Sequence, residues 1–282
     1  MKYKWRTLSS NEQTATIEYD HIEFGTFAPN YLQKILIYIG QNSFLKRGLF
    51  RSKYTKMIFS LSKGPLDIYF KECAFRIFGE NNLIEYGILL DPKYNSLDLN
   101  FLIEGSNLES NFVDLGSNIG LYSQPLALAS PRGIVLSIDA NPLMETRLLF
   151  NLRASSIKNI KFVLSAVSNK IGKGSLKIRK DDVAIVAVDE TIQDNIKINT
   201  LENIIKENKL KSIYGLKIDI EGHEDKALAP FLLNTTKALL PKRIVIEKLS
   251  KNSDYPKCSL AFEKLNYKLI SRSKNNSFYE RD

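Results

Sequence analysis

Short apolar runs alternate with segments of helical periodicity from about residue 105 to the end of the chain. The runs lie at 112–115, 134–138, 160–164, 214–218 and 243–246. Runs of this length are typical of strands buried on both faces of a parallel sheet, and the segments between them repeat apolar residues at helical spacing. The pattern predicts an α/β fold in which helices cover a mostly parallel, twisted sheet.

Helices are predicted between these strands, and further strands are predicted around them. The helical segments lie at 121–129, 143–154, 200–208, 225–240 and 259–265. Proline removes a backbone donor, so Pro125 predicts a late start or a kink in the first helix, and Pro230 predicts that the fourth is divided in two. The stretch "GSLKIRKDDVAIVAV" predicts an inserted hairpin, and "YKLISRSKNNSFYE" predicts two final strands that add an antiparallel edge to the sheet.

The first third of the chain follows a different pattern. Residues 1–66 are predicted to be mainly helical or irregular, with apolar residues at helical spacing in "NYLQKILIYIGQNSFLKRGLF". The stretches "DIYFKECAFRIF" and "NLIEYGILLD" are rich in aromatic and branched residues and are followed by turn-like sequences, so they are predicted to be strands of a small separate unit. We therefore expect an N-terminal α+β extension over 1–104 and a main α/β domain over 105–282.

The composition is that of an ordinary globular protein and disfavours several classes. The 282 residues are 44% hydrophobic and 25% charged, and no apolar run approaches the ~20 residues that cross a bilayer. The N-terminal segment carries positive charge but lacks the apolar region of a secretory signal, so a cytoplasmic location is expected. The two cysteines, Cys73 and Cys258, are too few and too far apart for a disulfide framework or a metal site.

Positive charge is concentrated in one segment. The chain has 40 basic and 31 acidic residues, a net charge of +9, which favours anionic partners. Between Lys46 and Lys63, six basic residues and no acidic residue alternate with aromatic and aliphatic side chains. This segment, 46–63, predicts either peripheral contact with an anionic membrane, nucleic acid or glycan, or a solvated helix packed on its own domain.

Two acidic residues end neighbouring predicted strands and suggest a nucleoside site. In "FVDLGSNIG", Asp114 ends a strand and is followed by a turn into a helix. The turn contains Gly116, Ser117, Asn118 and Gly120. The next strand ends at Asp139, 23 residues after Gly116, which is the spacing of an acid that binds the two ribose hydroxyls of an adenosine cofactor.

The same turn disfavours two common nucleotide sites. A dinucleotide site would need G-x-G-x-x-G, of which only the first glycine is present, and the P-loop pattern is absent. A cofactor without a pyrophosphate is therefore expected, such as a nucleoside joined to an amino acid. The helix start can take the carboxylate of that amino acid, and Asp114 can take its ammonium group.

Four stretches taken in order resemble the FkbM-type family of S-adenosylmethionine-dependent O-methyltransferases. They are "VDLGSNIGLYS", "SIDANP", "NLRASSIKNI" and "LKIDIEGHE", and the resemblance covers roughly residues 95–282. It implies a Rossmann-like class I methyltransferase sandwich and S-adenosyl-L-methionine as the cofactor. It also implies cofactor contacts from Asn141 in the second stretch, and from Ser165 and Ala166, which follow the third strand and would lie near the adenine.

The resemblance implies that "LKIDIEGHE" borders the methyl-transfer centre, with Glu247 at the same edge of the sheet. An alcohol needs a base to take its proton, and His223, Glu221 and Asp219 are the candidates, which the sequence does not rank. Asp219 is also a candidate for the cofactor's ammonium group. Two neighbouring carboxylates could hold a divalent ion, but the ligand set is incomplete, so no metal is predicted.

We therefore expect an O-methyltransferase that acts on a hydroxyl of a sugar, a glycan or a related small molecule, free or carried on a lipid. Methylation of base amino groups is disfavoured, because Asp219-Ile220-Glu221 stands where an Asn-Pro-Pro-aromatic motif would be needed. Methylation of cytosine carbon is disfavoured because Cys258 does not follow a proline. An RNA ribose methyltransferase and an inactive binding module of the same fold are the alternatives.

Overall fold

The computed structural model describes residues 5–6, 18–79, 82–179, 182–191, 194, 196–251 and 253–282. Before residue 105 its elements are β1 (Trp5–Arg6), α1 (Tyr31–Gln41), a 3₁₀ helix (Phe44–Lys46), α2 (Gly48–Phe59), β2 (Leu66–Phe70), β3 (Cys73–Ile77), α3 (Leu83–Leu90) and α4 (Ser96–Ile103). The next elements are β4 (Phe112–Leu115), α5 (Ser123–Ala129), β5 (Val135–Asp139), α6 (Pro142–Ala154), β6 (Ile160–Leu164), β7 (Ala166–Val167), β8 (Gly172–Arg179), β9 (Asp182–Asp189) and β10 (Ile196–Asn199). The last are α7 (Leu201–Glu207), β11 (Gly215–Ile218), α8 (Glu224–Asn234), a 3₁₀ helix (Lys237–Leu239), β12 (Arg243–Glu247), α9 (Pro256–Lys264), β13 (Lys268–Arg272) and β14 (Asn276–Glu280).

A seven-stranded sheet forms the centre of the fold. Its strand order is β13-β14-β12-β11-β4-β5-β6, with β12, β11, β4, β5 and β6 parallel and the last two strands of the chain antiparallel. Strand β4 lies in the middle of the five parallel strands, and the chain moves outward from it in both directions. This is the switch point of a doubly wound sheet, where ligands bind beyond the carboxyl ends of the strands. The predicted mostly parallel sheet with an antiparallel edge is confirmed.

Apolar side chains on both faces of the sheet hold the helices in place. On one face, Val113 and Leu115 of β4 belong to a cluster with residues of α7, α8 and α9. On the other face, Phe112 of β4 belongs to a cluster with residues of α3, α4, α5 and α6. Each Leu or Ile that is fully buried in this way stabilises the fold by roughly 1.5–3 kcal/mol. Strand β4 is apolar on both faces for this reason, and Asp114 is its exception.

Two further β elements flank the central sheet. Strands β8 and β9 form the predicted inserted hairpin, and β8 also pairs with β10. Strands β2 and β3 form the small hairpin predicted from "DIYFKECAFRIF". The predicted late start near Pro125 is confirmed as well, because α5 begins at Ser123 and places this proline in its first turn.

The stretch "NLIEYGILLD", predicted to be a strand, is the helix α3, so that prediction is wrong. The side chain of Asn82 accepts hydrogen bonds from the backbone N–H groups of Ile84 and Glu85 and starts the helix. Six of its eight residues are buried. A short helix that is buried nearly all round has the same unbroken apolar sequence as a buried strand, and periodicity alone does not separate them.

The predicted division at Pro230 is also wrong, because α8 continues through this proline to Asn234. The helix ends one turn after the proline, and the side chain of Asn234 donates a hydrogen bond to the Pro230 carbonyl at 2.8 Å. The separate 3₁₀ helix at Lys237–Leu239 follows this end.

Buried ion pairs join the N-terminal elements to α6. The guanidinium of Arg76 binds Asp67 at 2.7 Å and stacks over the Phe150 ring of α6 at 4.1 Å. Arg147 of α6 binds Glu85 of α3 at 2.8 Å, with both side chains fully buried. Removing one member of such a pair leaves a buried charge without its partner, which typically costs 3–5 kcal/mol. The division at 104/105 stays a prediction, and the two parts share one apolar cluster.

None of the helices that the structure describes is long and apolar enough to cross a membrane.

Candidate active site

The turn in "FVDLGSNIG" lies where β4 ends, between the ends of β5 and β11. The backbone N–H groups of Gly116 and Ser117 donate to the Ile138 carbonyl at 2.9 and 3.1 Å. Gly116 has φ +77°, and a Cβ at this position would lie 1.9 Å from the carbonyl oxygen of Asp219. Glycine is therefore required both by the backbone conformation and by the close approach of the loop after β11.

Asp139 fixes the other side of this turn. One carboxylate oxygen accepts the backbone N–H of Asn118 and the other that of Asn141, both at 2.8 Å. Burial raises the pKa of Asp139, and these two N–H groups partly offset the effect. Each carboxylate oxygen has a second lone pair, so Asp139 can still accept hydrogen bonds from two ribose hydroxyls.

Asp114 and Lys217 form a buried pair below the turn. They are register partners on β4 and β11, and Lys217 Nζ lies 3.5 Å from Asp114 Oδ1. The hydroxyl of Ser123 donates to the other carboxylate oxygen at 2.5 Å. Lys217 also donates to the carbonyls of Leu115 and Gly116, at 3.2 and 2.7 Å. The predicted partner of Asp114 was the ammonium group of the cofactor, whereas the structure gives it Lys217 and Ser123.

The charge of Lys217 is maintained by the acids around it. Burial would lower the pKa of this lysine, but the carboxylates of Asp114, Asp219 and Asp139 outweigh burial and raise it. Nζ also lies 5.2 Å from the centre of the Tyr122 ring. A permanent ammonium among three carboxylates reduces the repulsion between acidic groups that end neighbouring strands.

The residues of the turn fit an adenosine cofactor with an amino-acid arm. Ser117 is buried, and its hydroxyl has no hydrogen-bond partner within the part of the chain that the structure describes. A buried hydroxyl without a partner costs free energy, so an incoming ligand group that bonds to it is favoured. Ser117, Asn118 and Asp139 are therefore the residues that would hold such a cofactor at this edge, with Gly116 and Gly120 shaping the turn.

The predicted adenine-side residues lie next to Asp139. The backbone N–H of Ser165 donates to the Asp139 carbonyl at 2.9 Å, and Ala166 begins the short strand β7. The Ser165 hydroxyl donates to the Lys197 carbonyl at 3.1 Å. The side chain of Asn141 accepts the N–H of Leu143 and caps α6. These residues are brought together with Asp139, and their side chains also serve local structure.

Three carboxylates gather at the ends of β11 and β12. One carboxylate oxygen from each of Asp219, Glu224 and Glu247 lies within 4.8 Å of the other two. Glu224 is buried and accepts the backbone N–H groups of Ile220 and Gly222 at 2.8 and 2.9 Å, so it holds the turn that contains Asp219. Burial, followed by the charges of Asp219 and its neighbours, raises the pKa of Glu247 to about 9.

The other two candidate bases lie in different surroundings. Glu221 is exposed on the turn with φ +55°, and its charge contributes to the raised pKa of Glu247. His223 is half-buried, with Nδ1 3.5 Å from Glu190, which follows β9. Burial and then the charge of Lys226 lower the pKa of His223. The structure thus groups Asp219 with Glu224 and Glu247, and it places His223 beside the inserted hairpin.

Several residues at this site were not predicted from the sequence. The Tyr122 hydroxyl donates to Asp98 at 2.7 Å and accepts from Asn95 at 2.8 Å. The side chain of Asn82 donates to that of Asn118 at 3.4 Å. Tyr122 lies two residues after Gly120, so its position next to the motif was an available signal. Asn82, Asn95 and Asp98 come from the N-terminal elements, and no motif marks them.

The fold and this site together define a class of protein. A glycine turn after the central strand, an acid after the next strand and the order of the seven-stranded sheet are those of a Rossmann-like class I methyltransferase. The family model of the methyltransferase FkbM domain matches residues 114–269, more than half of the chain. The chain therefore belongs to the FkbM methyltransferase family, and its cofactor is S-adenosylmethionine. None of the curated proteins matches it.

Solved structures with a similar fold include several methyltransferases. TYW2 of M. jannaschii in complex with AdoMet is 15% identical, with a TM-score of 0.42, and the alignment covers 78% of this chain and 88% of that one. The SAM-dependent methyltransferase from Agrobacterium tumefaciens is 11% identical, with a TM-score of 0.45 and coverages of 77% and 70%. TrmK of M. capricolum in complex with S-adenosyl-homocysteine is 16% identical, with a TM-score of 0.40 and coverages of 65% and 66%. At these identities the similarity concerns the fold alone.

Proposed function

We propose that the chain transfers the methyl group of S-adenosylmethionine to a hydroxyl of a sugar or glycan acceptor, free or carried on a lipid. The observation that carries this proposal is the carboxylate cluster of Asp219, Glu224 and Glu247. The cluster lies beside the cofactor turn, because the backbone of Asp219 packs directly against Gly116. A base and the cofactor's reactive group would then be neighbours, which is what methylation of an alcohol requires.

Asp219 is the member of the cluster to which we assign the role of base. Glu224 is already engaged by two backbone N–H groups, and a pKa of about 9 keeps Glu247 protonated at neutral pH. Asp219 can therefore accept the proton of the acceptor hydroxyl while the Glu247 carboxylic acid donates a hydrogen bond to its oxygen and orients it. Two neighbouring carboxyl groups in different surroundings commonly divide such roles. The bound cofactor supplies an electrophilic methyl group on its sulfonium.

His223 and Glu221 are the other candidates for the base. The lowered pKa of His223 favours a neutral ring that can accept a proton, but Nδ1 lies beside Glu190. Glu221 is exposed, and water weakens the interactions of an exposed carboxylate with a substrate. We therefore rank Asp219 first.

The residue types at the end of β11 support transfer to oxygen. Carboxylates accept protons from alcohols, whereas methylation of base amino groups would be expected to use an Asn-Pro-Pro-aromatic motif at this point. Cys258 is buried, its pKa is raised by burial and then by Asp225, and its thiol donates to the Glu224 carbonyl at 3.4 Å. Such a thiol is a poor nucleophile, which weighs against methylation of cytosine carbon. A cytoplasmic site of action stays a prediction from the sequence.

The test is transfer of a labelled methyl group from S-adenosylmethionine to a panel of free sugars, oligosaccharides, lipid-linked sugars and RNA. We expect label in a sugar fraction, and we expect Asp219→Asn to lower kcat by about 10²-fold or more while cofactor affinity stays within about threefold. Glu263→Gln, on the exposed side of α9, is the matched control and should retain full activity. Label in RNA ribose would favour the alternative substrate, and cofactor binding without transfer to any acceptor would favour an inactive binding module.

A further inference from the structure

Helix α1 carries apolar side chains on its outer side as well as on its inner side, where Leu36 and Ile37 pack against the core. Tyr31, Leu32, Ile35, Tyr38 and Ile39 are all exposed, Tyr31 by 82% and Tyr38 by 69%. They are spaced at i, i+1, i+4, i+7 and i+8, so they form one continuous stripe. A helix at the surface of a globular protein normally carries charged and polar residues on its outer side.

The inward side of α1 is fixed by specific contacts, so the helix cannot simply rotate to bury its stripe. The buried side chain of Gln33 donates to the Ile58 carbonyl and to Ser62, both at 3.0 Å. A Cβ at Gly40 would lie 2.7 Å from the ring of Tyr54 on α2. The Tyr54 hydroxyl donates to the carbonyl of α1 residue Leu36 at 2.8 Å.

The elements that follow α1 also expose apolar side chains. Phe44 in the 3₁₀ helix and Phe50 in α2 are both exposed, and their rings pack edge to face with centroids 5.3 Å apart. Met57 and Leu61 follow Phe50 and are also exposed. We call this surface the apolar–basic face, formed by the exposed residues of 31–63. Large apolar side chains exposed in this number within one segment are typical of an interaction site.

The charge around this face is of one sign. From 24 to 66 the chain has seven basic residues and no acidic residue. Five of them are exposed, namely Lys34, Arg47, Lys53, Lys56 and Lys63. None of these five forms a salt bridge within the described part of the chain. Lys53 and Lys56 lie on α2 between Phe50 and Met57, so cationic and apolar groups alternate along this helix.

We propose that the apolar–basic face binds the surface of an anionic lipid bilayer. Exposed tyrosines and phenylalanines suit the boundary between headgroups and acyl chains, and lysines suit anionic headgroups. A second copy of the chain is the competing occupant. In a twofold contact the same patch lies on both sides, so the basic residues of one copy would face those of the other. The charge therefore favours lipid. This inference does not depend on the identity of the methyl acceptor.

The test is sedimentation of the full chain with vesicles of phosphatidylcholine, with and without phosphatidylglycerol, at low and high salt. Tyr38→Ser/Phe50→Ser removes apolar contacts, and Lys53→Glu/Lys56→Glu reverses two charges. Each has a matched control elsewhere on the surface. Ile171→Ser/Leu260→Ser changes two apolar side chains that are 65% and 66% exposed, and Lys206→Glu/Lys264→Glu changes net charge by the same amount as the lysine variant.

We expect binding to the anionic vesicles only, weakened by salt, and lowered by about tenfold or more in both variants of the face but in neither control. Absence of binding would overturn the proposal, as would equal losses in Lys206→Glu/Lys264→Glu, which would show that net charge alone is responsible. A wild-type dimer that Tyr38→Ser/Phe50→Ser converts to a monomer, without vesicle binding, would assign the face to a second copy. Thermal melts show whether each variant is folded. If Tyr38→Ser/Phe50→Ser does not fold, the vesicle binding of Lys53→Glu/Lys56→Glu tests the proposal.

Discussion

The substitution Gly116→Ala tests whether the cofactor turn depends on the close approach of two loops. A Cβ at residue 116 would lie 1.9 Å from the Asp219 carbonyl oxygen, whereas real Cβ contacts essentially never fall below 3.0 Å. The ends of β4 and β11 must therefore separate by at least 1.1 Å. Forcing this shift costs about 1–3 kcal/mol, as overpacking of cores does. The positive φ of +77° adds about 1–2 kcal/mol for alanine, so the expected loss of stability is about 2–5 kcal/mol.

Gly25→Ala separates the two contributions. Gly25 has φ +100°, and a Cβ there would meet no atom within 4 Å. Alanine at this position should therefore carry only the conformational cost of about 1–2 kcal/mol. The difference between the two variants measures the close approach at Gly116.

Urea unfolding gives the two free energies, and calorimetric titration gives the affinity for S-adenosylmethionine. Because a shifted turn also moves Ser117 and the Asn118 N–H that binds Asp139, Gly116→Ala should weaken cofactor binding by about tenfold or more, or about 1.4 kcal/mol. Gly25→Ala should leave the affinity unchanged. Equal losses of stability in the two variants, together with unchanged cofactor affinity in Gly116→Ala, would refute the reasoning.

Three further predictions concern charged groups. Asp139→Ala should weaken S-adenosylmethionine binding by about tenfold in calorimetric titration, and an unchanged affinity would contradict a ribose contact. Lys217→Met leaves Asp114 buried without its cation and should lower the free energy of urea unfolding by about 3–5 kcal/mol, whereas a loss below about 1 kcal/mol would contradict the buried pair. The folded-state pKa of Glu247, about 9 against an ordinary 4.5, means that the folded chain holds a proton that the unfolded chain releases. The stability of the wild type relative to Glu247→Gln should therefore fall as pH rises from about 5 to about 9, and a constant difference between their unfolding curves across that range would contradict the raised pKa.

The parts of the site that lie within one short stretch could be predicted from the sequence. The glycine turn, Asp114 and Asp139 follow from strand ends and spacing, because the carboxyl ends of parallel strands meet at one edge of a sheet. The strand β11 and its acidic turn were predicted for the same reason. The residues that contact these side chains were not predicted. Lys217 lies beside Asp114 because of the register between β4 and β11, and that register depends on the whole sheet.

The candidate bases also have partners that are distant in the sequence and that could not be predicted from it. The sequence puts His223 and Asp219 four residues apart, and nothing in it distinguishes them. In the folded chain Asp219 joins Glu224 and Glu247, the second of which comes from β12. His223 meets Glu190, whose position depends on the inserted hairpin. The prediction of α3 as a strand was wrong for a related reason. A short apolar run indicates that a segment is buried on all sides, but it does not show whether the segment is a strand or a helix.

Residues of the N-terminal elements contact the cofactor turn as well as the core. The sequence motifs of the site do not include these residues, so the motifs alone do not predict all of its contacts. Asn82 starts α3 and also donates to Asn118 in the turn. Asp98 on α4 accepts from Tyr122, whose ring lies against the Lys217 ammonium. Burial raises the pKa values of both Asp98 and Tyr122, so the tyrosine stays neutral and donates its proton to this bond. The candidate cofactor turn is therefore held on one side by the sheet of the methyltransferase fold and on the other by residues that precede it in the chain.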